Sequence, residues 1–330
     1  MTDAILTRAQ AGDGEAFREL VGPYRGELLA HCYRTLGSFH DAEDVLQEAL
    51  LAAWRGIGQF DGRSLRAWLY RITTNRCLNY LRGESRRPRP AGLPGHNAGR
   101  TGRARSDDPW WLEPIPDLLL DEVTPGPEAR YDARESIALS FVAGLQHLPP
   151  QQRAALVLRD VLGFPAAEAA EILDTTAAAV NSALIRARAG LRPGRDLHDV
   201  PRPKSPAEAA VVGRFVDALE RFDLDRLVAL LTEDARFTMP PEPVEFRGPD
   251  AVTGFFAELP FWGEELKVVF TRANNQPAVV YYLPDPCAPI WRAGSLLVLG
   301  LRGNRVCAVT RFGDHGLLAR FGLPRTLPRD

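Results

Sequence analysis

The spacing of apolar residues divides the chain into two helical blocks and a C-terminal part of different character. From about Asp13 to Arg82, and again from about Ala129 to Leu191, apolar residues recur every three or four positions with few breakers, which predicts helices. From Ala207 onward, two more amphipathic helices lead into short runs rich in β-branched and aromatic residues, which predict strands. We therefore predict a multidomain protein with two all-α domains and one α+β domain.

The C-terminal part is expected to begin with helices and to continue with a sheet. Gly303 and Asn304 stand between the last two apolar runs and predict a hairpin turn there. The predicted helices span 207–221, 224–232 and 250–258, and the predicted strands span 235–239, 267–272, 278–283, 296–302 and 305–312.

Two breaker-rich segments separate these three parts. Gly83 to Pro127 is dense in proline, glycine and arginine and then in acids, and Pro193 to Pro206 forms a second, proline-rich hinge. The composition of the first segment is that of a disordered spacer. It nevertheless contains the sequence PWWLEPIPD at 109–117, in which Trp110 and Trp111 are residues that a spacer does not need. We therefore predict that these two tryptophans dock on another part of the chain.

The overall charge provides no long-range attraction to nucleic acid, because 40 lysine and arginine residues are balanced by 42 aspartate and glutamate residues. Any contact with DNA is expected to be local. The four cysteines are scattered without a CxxC pair, and we predict no metal, cofactor or catalytic site. The N-terminus lacks a signal pattern and every apolar run is too short to span a bilayer, so we predict a cytoplasmic protein without a membrane partner.

The first helical block contains a face that suits a protein partner. Ser38 is placed to cap a helix that carries acids in its first turn, which is favourable against the helix dipole. A mixed acidic and apolar face suits docking on a basic partner helix, although a solvated face has the same pattern. The residues of this face, at i, i+3, i+4 and i+7, are Asp44, Gln47, Glu48 and Leu51.

The next predicted helix combines aromatic, amide and guanidinium groups on one side. Such a face can hold phosphates and stack unpaired bases, and the glycine-rich loop before it can approach an extruded base. Trp68 is equally compatible with a half-buried core position. The candidate residues are Asp61 and Ser64 in the loop and Trp68, Arg71, Asn75, Asn79 and Arg82 on the helix.

The second helical block has the spacing of a helix-turn-helix. Its last helix begins near Thr176 and turns Val180, Leu184 and Ala187 inward. Any αα-hairpin gives the same periodicity, so the pattern alone is only moderately specific. The positions with access to DNA are Thr176, Asn181, Ser182, Ile185, Arg186 and Arg188.

Both helical blocks resemble conserved segments of bacterial extracytoplasmic-function (ECF) RNA polymerase sigma factors. DAEDVLQEALLAAWR at 41–55 and SLRAWLYRITTNRCLNYLR at 64–82 resemble region 2, and LQHLPPQQRAALVLRDVLGFPAAEAAEIL at 145–173 with AAAVNSALIRARAGL at 177–191 resembles region 4. One departure is Asp174, where many family members have a glycine in the turn; aspartate tolerates the left-handed conformation, so we expect the motif to be retained.

The resemblance implies partners for each surface. It places Asp44, Gln47 and Glu48, with Leu51 on the same face, on the clamp coiled coil of the largest polymerase subunit, and it implies contact with the flap. The loop and the second helix of region 2 would recognise and melt the promoter −10 element, and the second helix of region 4 would read the −35 element. Weak contacts suffice for such a factor, since tethering to polymerase raises the effective concentration of DNA.

The C-terminal element order resembles the cone-shaped α+β fold shared by SnoaL-like proteins and nuclear transport factor 2. The motif at 109–117 is similar to the WLPEP-like linker of ECF sigma factors with fused SnoaL-like domains, which implies packing against that domain. The resemblance implies region 2 at 1–85, the linker at 86–128, region 4 at 129–193, a hinge at 194–205 and the SnoaL-like domain at 206–330.

Two other interpretations remain open at this point. The first is a SnoaL-like enzyme fused to a helix-turn-helix, for which Asp314 and His315 are a candidate pair, although a surface turn explains them equally. The second is a ligand-responsive DNA-binding regulator. Five aromatic residues of the cone line a small-molecule pocket or form its core: Trp262, Phe270, Tyr281, Trp291 and Phe312.

Overall fold

The computed structural model describes residues 2–84, 103–106, 109–121, 136–191 and 200–329. The chain forms two compact units, one made of Met1–Arg89 with Leu118–Gly194 and the other of Pro90–Asp117 with Arg195–Asp330. The linker is therefore shared between the units, and its described part up to Asp117 belongs with the C-terminal domain. The boundaries expected at 85–86, 128–129 and 193–194 lie outside the described residues.

The first unit opens with five helices: α1 (Thr2–Gln10), α2 (Gly14–Val21), α3 (Arg25–Leu36), α4 (Phe39–Gly56) and α5 (Leu65–Glu84). The Ser38 hydroxyl accepts a hydrogen bond from the Asp41 amide at 3.1 Å, which confirms the predicted cap of α4. The helix α3 ends at Gly37, whose φ of 78° is in the left-handed region. We call α1 to α5 the first block.

The second block of this unit contains α6 (Leu118–Asp121), α7 (Leu139–Gln146), α8 (Pro150–Leu156), α9 (Ala166–Ile172) and α10 (Ala177–Gly190), with α8 continuing into a π-helical turn at Val157–Val161. The helices α9 and α10 form the predicted helix-turn-helix. Asp174 in its turn has a φ of 50°, so the left-handed conformation expected there is confirmed. Leu145, Leu156 and Leu184 belong to the core beneath it.

In its described residues, the second unit combines an eight-stranded sheet with three α-helices and a 3-10 helix at Leu317–Phe321. The helices are α11 (Pro206–Glu220), α12 (Leu224–Leu230) and α13 (Pro249–Ala257), and the strands of the domain are β2 (Leu231–Met239), β3 (Glu242–Arg247), β4 (Lys267–Ala273), β5 (Gln276–Pro284), β6 (Ile290–Arg302), β7 (Arg305–Phe312) and β8 (Thr326–Pro328). The linker contributes β1 (Arg103–Arg105), and the order across the sheet is β1-β3-β2-β7-β6-β5-β4, with β8 paired to β6.

Aromatic side chains fill the core between the sheet and its helices. Phe237 of β2 lies 4.6 Å from Phe255 and 5.4 Å from Phe256 on α13, measured between ring centroids. The hairpin at Gly303 joins β6 to β7 as predicted. The helix expected over 224–232 ends at Leu230 because Leu231 begins β2 and pairs with Val306 of β7.

Among the described residues, no helix is both long and apolar enough to cross a membrane. Within the same ranges, no cluster of histidine, cysteine and acidic side chains could hold a metal ion.

Candidate nucleic-acid interface

The helix α4 presents the predicted partner face to solvent. Asp44, Gln47, Glu48 and Leu51 are all exposed, and the Leu51 side chain is 55% exposed although it is apolar. The opposite side of α4 is held in the core through Val45, Leu46, Ala49 and Ala53. An exposed leucine flanked by carboxylates is a surface to which a basic, partly apolar helix can bind.

On α5 the predicted DNA-facing residues divide by exposure. Arg71, Asn79 and Arg82 are exposed, whereas Trp68 and Asn75 are half-buried. The Trp68 ring lies 5.1 Å from the Phe60 ring, and the Arg82 guanidinium donates to Asn79 Oδ1 at 2.9 Å. The structure therefore brings all five residues to one side of α5 and gives Trp68 a packing role as well.

The loop before α5 is organised by its own polar side chains. The Asp61 carboxylate accepts from the Arg63 amide at 3.1 Å, and the Arg63 guanidinium lies 3.3 Å from the same carboxylate. The Ser64 hydroxyl accepts from the Ala67 amide at 3.3 Å, in the first turn of α5. Both side chains are exposed, so they remain accessible while they shape the loop.

The helix α10 exposes each of the predicted DNA-facing residues, from Thr176 to Arg188. The Thr176 hydroxyl caps α10 by accepting from the Ala179 amide at 3.2 Å. The Ile185 side chain is 68% exposed within this otherwise polar surface. The Arg188 guanidinium makes two hydrogen bonds to Asp160, at 2.9 and 2.7 Å, so it already has a carboxylate partner.

The linker contacts the C-terminal domain through residues that the sequence pattern did not single out. The Asp117 carboxylate accepts from Arg272 Nε at 2.9 Å and from the Asn275 amide at 2.7 Å, and Arg272 also binds Glu208 of α11 at 2.5 Å. Burial lowers the pKa of Arg272, but its hydrogen bonds and charge interactions with Glu208 and Asp117 outweigh that effect and raise it. The Ile115 amide donates to Asn274 Oδ1 at 3.0 Å. We call these contacts the linker clasp.

The two linker tryptophans have a different environment. Their rings meet edge to face at 5.7 Å, and Trp110 is 36% exposed while Trp111 is half-buried. Docking by Trp110 and Trp111 stays a prediction. The signal that could have identified the clasp is Asp117, the acid at the C-terminal end of the proline-rich motif at 109–117.

The five aromatic residues of the C-terminal domain are mostly packed. Tyr281, Trp291 and Phe312 are buried, Trp262 is half-buried against Phe222 and Phe256, and Phe270 is 56% exposed. Asp314 and His315 lie in an exposed turn, where Asp314 accepts from the Gly316 amide and the His315 ring hydrogen-bonds the Gly294 carbonyl. These contacts agree with the surface-turn interpretation of the pair.

Comparison with known families assigns each part of the chain. Residues 20–87 match the Sigma-70 region 2 family, residues 139–191 match Sigma-70 region 4, and residues 212–321 match the SnoaL-like domain family. The matched ranges cover most of the first block, of the second block and of the α+β domain.

The chain is also similar to two known proteins over most of their length. The chain is 42% identical over 328 residues to the ECF RNA polymerase sigma factor SigG of Mycobacterium tuberculosis, which covers 96% of this chain and 85% of that protein. It is 32% identical over 241 residues to the ECF sigma factor SigJ of the same species, with 71% and 70% covered. The crystal structure of SigJ superposes with a TM-score of 0.62 at 26% identity and covers 91% of this chain and 97% of that one. The chain therefore belongs to the ECF RNA polymerase sigma factors and carries a C-terminal SnoaL-like domain.

Proposed function

We propose that this sigma factor binds core RNA polymerase through the exposed face of α4 and directs initiation by reading two promoter elements. The observation that carries the proposal is that three separate polar surfaces, on α4, α5 and α10, are exposed while the apolar sides of the same helices are buried. The face of α4 would bind the clamp coiled coil of the largest subunit, and the second block would contact the flap. The site of action is the cytoplasm, where the polymerase works.

The contact with polymerase is tested by reversing charge on α4. The double variant Asp44→Lys, Glu48→Lys should weaken binding to core polymerase at least about tenfold, because like charges replace attraction at the contact. Glu19→Lys is the matched control, since Glu19 is an exposed acid on α2 outside this face. If the double variant and the control bind core polymerase with equal affinity, α4 is not part of the polymerase contact.

For the −10 element we assign the loop residues Asp61 and Ser64 and the α5 face from Trp68 to Arg82. Arg71→Ala should reduce promoter opening. Opening is measured by the permanganate reactivity of unpaired thymines in the complex of holoenzyme and promoter. Arg76→Ala is the control, because Arg76 is exposed on α5 but lies outside this face. If both variants open the promoter equally, the assignment of the face is wrong.

For the −35 element we assign the exposed residues of α10. Arg186→Ala and Asn181→Ala should each relax base preference at one −35 position, at a cost of about 1–3 kcal/mol per lost contact. Arg188 is expected to contribute less, since Asp160 holds its guanidinium. A promoter library transcribed by the reconstituted holoenzyme gives these preferences directly.

We assign the SnoaL-like domain a regulatory and not a catalytic role, with a small-molecule ligand in this domain as a further partner to be tested. The linker clasp supports this role, because it ties the segment between regions 2 and 4 to the domain. In vitro transcription by the full-length protein and by a truncation after Leu191 tests it. We expect the two proteins to produce different amounts of transcript. Equal amounts would contradict the regulatory role.

A further inference from the structure

The first helix of the chain contacts the loop that precedes α5. Gln10, the last residue of α1, lies at the surface, but its side-chain amide donates to the Ile57 carbonyl at 3.3 Å and to the Phe60 carbonyl at 3.0 Å. Ile57 directly follows α4, at a helix end where carbonyls lack partners within the helix. One amide group therefore holds two carbonyls at the beginning of this loop, which spans residues 57–64 and which we call the α4–α5 loop.

A second residue of α1 faces the tip of the α4–α5 loop. Leu6 lies one turn before Gln10, and residues four positions apart share a face of a helix. A Cβ added to Gly62 would lie 3.9 Å from Leu6 Cδ2, which is ordinary van der Waals contact, and Gly62 itself has a φ of +80°. The same face of α1 therefore contacts the loop both at its beginning and at its tip.

The helix α1 is itself fixed to the rest of the first block. The Arg8 guanidinium donates twice to the Asp13 carboxylate, at 2.9 and 2.6 Å, and the same carboxylate caps α2. On α2, the Phe17 ring lies 5.1 Å from the Trp54 ring of α4. Because α1 is connected through α2 to α4, the Gln10 amide has a defined position from which it holds the loop.

Phe60 is held on two sides. Its carbonyl accepts from Gln10, and its buried ring packs against Trp68 of α5. The residues that follow, 61–63, are exposed. Since the carbonyl and the ring of Phe60 are both fixed, the direction in which residues 61–63 leave the protein surface is fixed as well. A loop that is ordered before it binds loses less conformational entropy on binding.

We propose that Gln10 is a positioning residue for the capture of an unpaired base of the −10 element. It acts through the α4–α5 loop, whose residues 61–64 meet the base, and it does not itself touch DNA. This inference rests on the proposed assignment of that loop to the −10 element. It extends the machinery of promoter opening to α1, a helix that carries none of the assigned DNA-binding residues.

Two substitutions of Gln10 separate hydrogen bonding from side-chain size. Gln10→Met keeps the length of the side chain and its compatibility with a helix but has no donor. Gln10→Glu keeps the shape, and its ionised carboxylate can only accept, so it repels the Ile57 and Phe60 carbonyls. Gln151→Met is the matched control, because Gln151 is an exposed glutamine on α8, outside the first block.

The experiment uses holoenzyme reconstituted from the full-length chain and fluorescein-labelled fork templates. Their single-stranded non-template −10 sequence is that of the most active promoter from the library, and in a second set one −10 base at a time is replaced by an abasic site. Fluorescence anisotropy gives the affinity for each template. At the captured position, the wild type should lose at least about tenfold in affinity without the base, the order expected for one stacked base.

On the intact template, Gln10→Met should bind about threefold to tenfold more weakly than the wild type, the order expected for lost hydrogen bonds. Gln10→Glu should bind more weakly still. On the template that lacks the captured base, both variants should match the wild type, because no base remains for the loop to hold. Gln151→Met should match the wild type on every template, and all four proteins should bind core polymerase equally.

Three results would overturn the positioning role. They are an equal loss for Gln10→Met on intact and abasic templates, no loss for Gln10→Met or for Gln10→Glu on either, and weaker binding of Gln10→Met to core polymerase, since the first and the last indicate a general structural role. If the wild type binds every abasic template as tightly as the intact one, the −10 assignment of the proposed function is wrong instead. The wild-type titrations alone therefore distinguish the two failures.

Discussion

At the scale of single residues, His31 couples the stability of the first block to pH. Its ring is fully buried, its Nε2 lies 2.9 Å from the Thr74 hydroxyl, and Nδ1 has no hydrogen-bond partner among the described residues. Burial, with the nearby charges of Arg34 and Arg66, lowers the pKa of His31 to about 3. The folded protein therefore keeps the ring neutral at pH values at which the unfolded chain binds a proton.

We expect the free energy of unfolding to fall by about 2 kcal/mol between pH 7.5 and pH 5 through this group. The sign follows from the lowered pKa, because the unfolded chain gains protons below about pH 6.5 and the folded protein does not. His31→Gln removes the titration and should flatten this part of the pH dependence in urea unfolding. Equal slopes in the two proteins would show that His31 is not the group responsible.

The linker clasp gives a second prediction at this scale. Asp117→Ala should leave Arg272 with Glu208 and the Asn275 carbonyl and remove the acceptor of the Asn275 amide, at a local cost of about 1–3 kcal/mol. Hydrogen exchange of the amides at 112–117 should become faster. Glu264→Ala, at an exposed acid of the same unit, should leave exchange in the linker unchanged. Slow exchange in the Asp117 variant would mean that the remaining contacts, including the hydrogen bond between Ile115 and Asn274, hold the linker without this carboxylate.

Sequence reasoning identified single residues best where local geometry decides their role. The Ser38 cap and the left-handed Asp174 depend on neighbours within four positions, and both were predicted. Arg153 and His31 were not identified, because charged and polar residues are usually exposed and nothing local marks these two as buried. Their burial depends on contacts across the fold, such as Arg153 with Thr35.

At the scale of elements, the turn of the helix-turn-helix depends on Asp174. Asp174→Gly should be tolerated with little change, since glycine adopts positive φ without strain. Asp174→Val should destabilise the second block by about 1–2 kcal/mol, because a β-branched residue is unfavourable in the left-handed region. Thermal unfolding of the three proteins gives the comparison. A valine variant as stable as the wild type would show that the turn has changed conformation.

Helices and central strands followed from periodicity, but β1, β3 and β8 did not. β3 was missed because Pro240, Pro241 and Pro243 mark its surroundings as a loop, while pairing with β1 and β2 makes it a strand. β1 was missed because three residues in an arginine-rich segment carry no periodic signal. Helical period separates the exposed residues of α4 and α10 from the core, whereas Trp68 and Asn75 of the predicted α5 face are half-buried.

At the scale of the whole molecule, near-neutral charge predicts dependence on polymerase. A chain with a net charge of −2 has no field that concentrates it on DNA, and few residues of α10 can contact bases. We expect the free protein to bind promoter duplex at least about tenfold more weakly than the holoenzyme at physiological salt. Fluorescence anisotropy with and without core polymerase measures the ratio. Comparable affinities would argue for a self-sufficient regulator.

The strand contributed by the linker determines how the C-terminal domain can be handled in isolation. β1 pairs with β3 at one edge of the sheet, and the bridge between Pro116 and Ala273 lies beside β4 at the other. Unpaired sheet edges invite pairing between molecules. A fragment that starts at the hinge would therefore leave the edges of β3 and β4 unpaired and would aggregate. Adding residues 103–117 as a separate peptide should keep the fragment monomeric. Ligand screens on this domain will need that peptide.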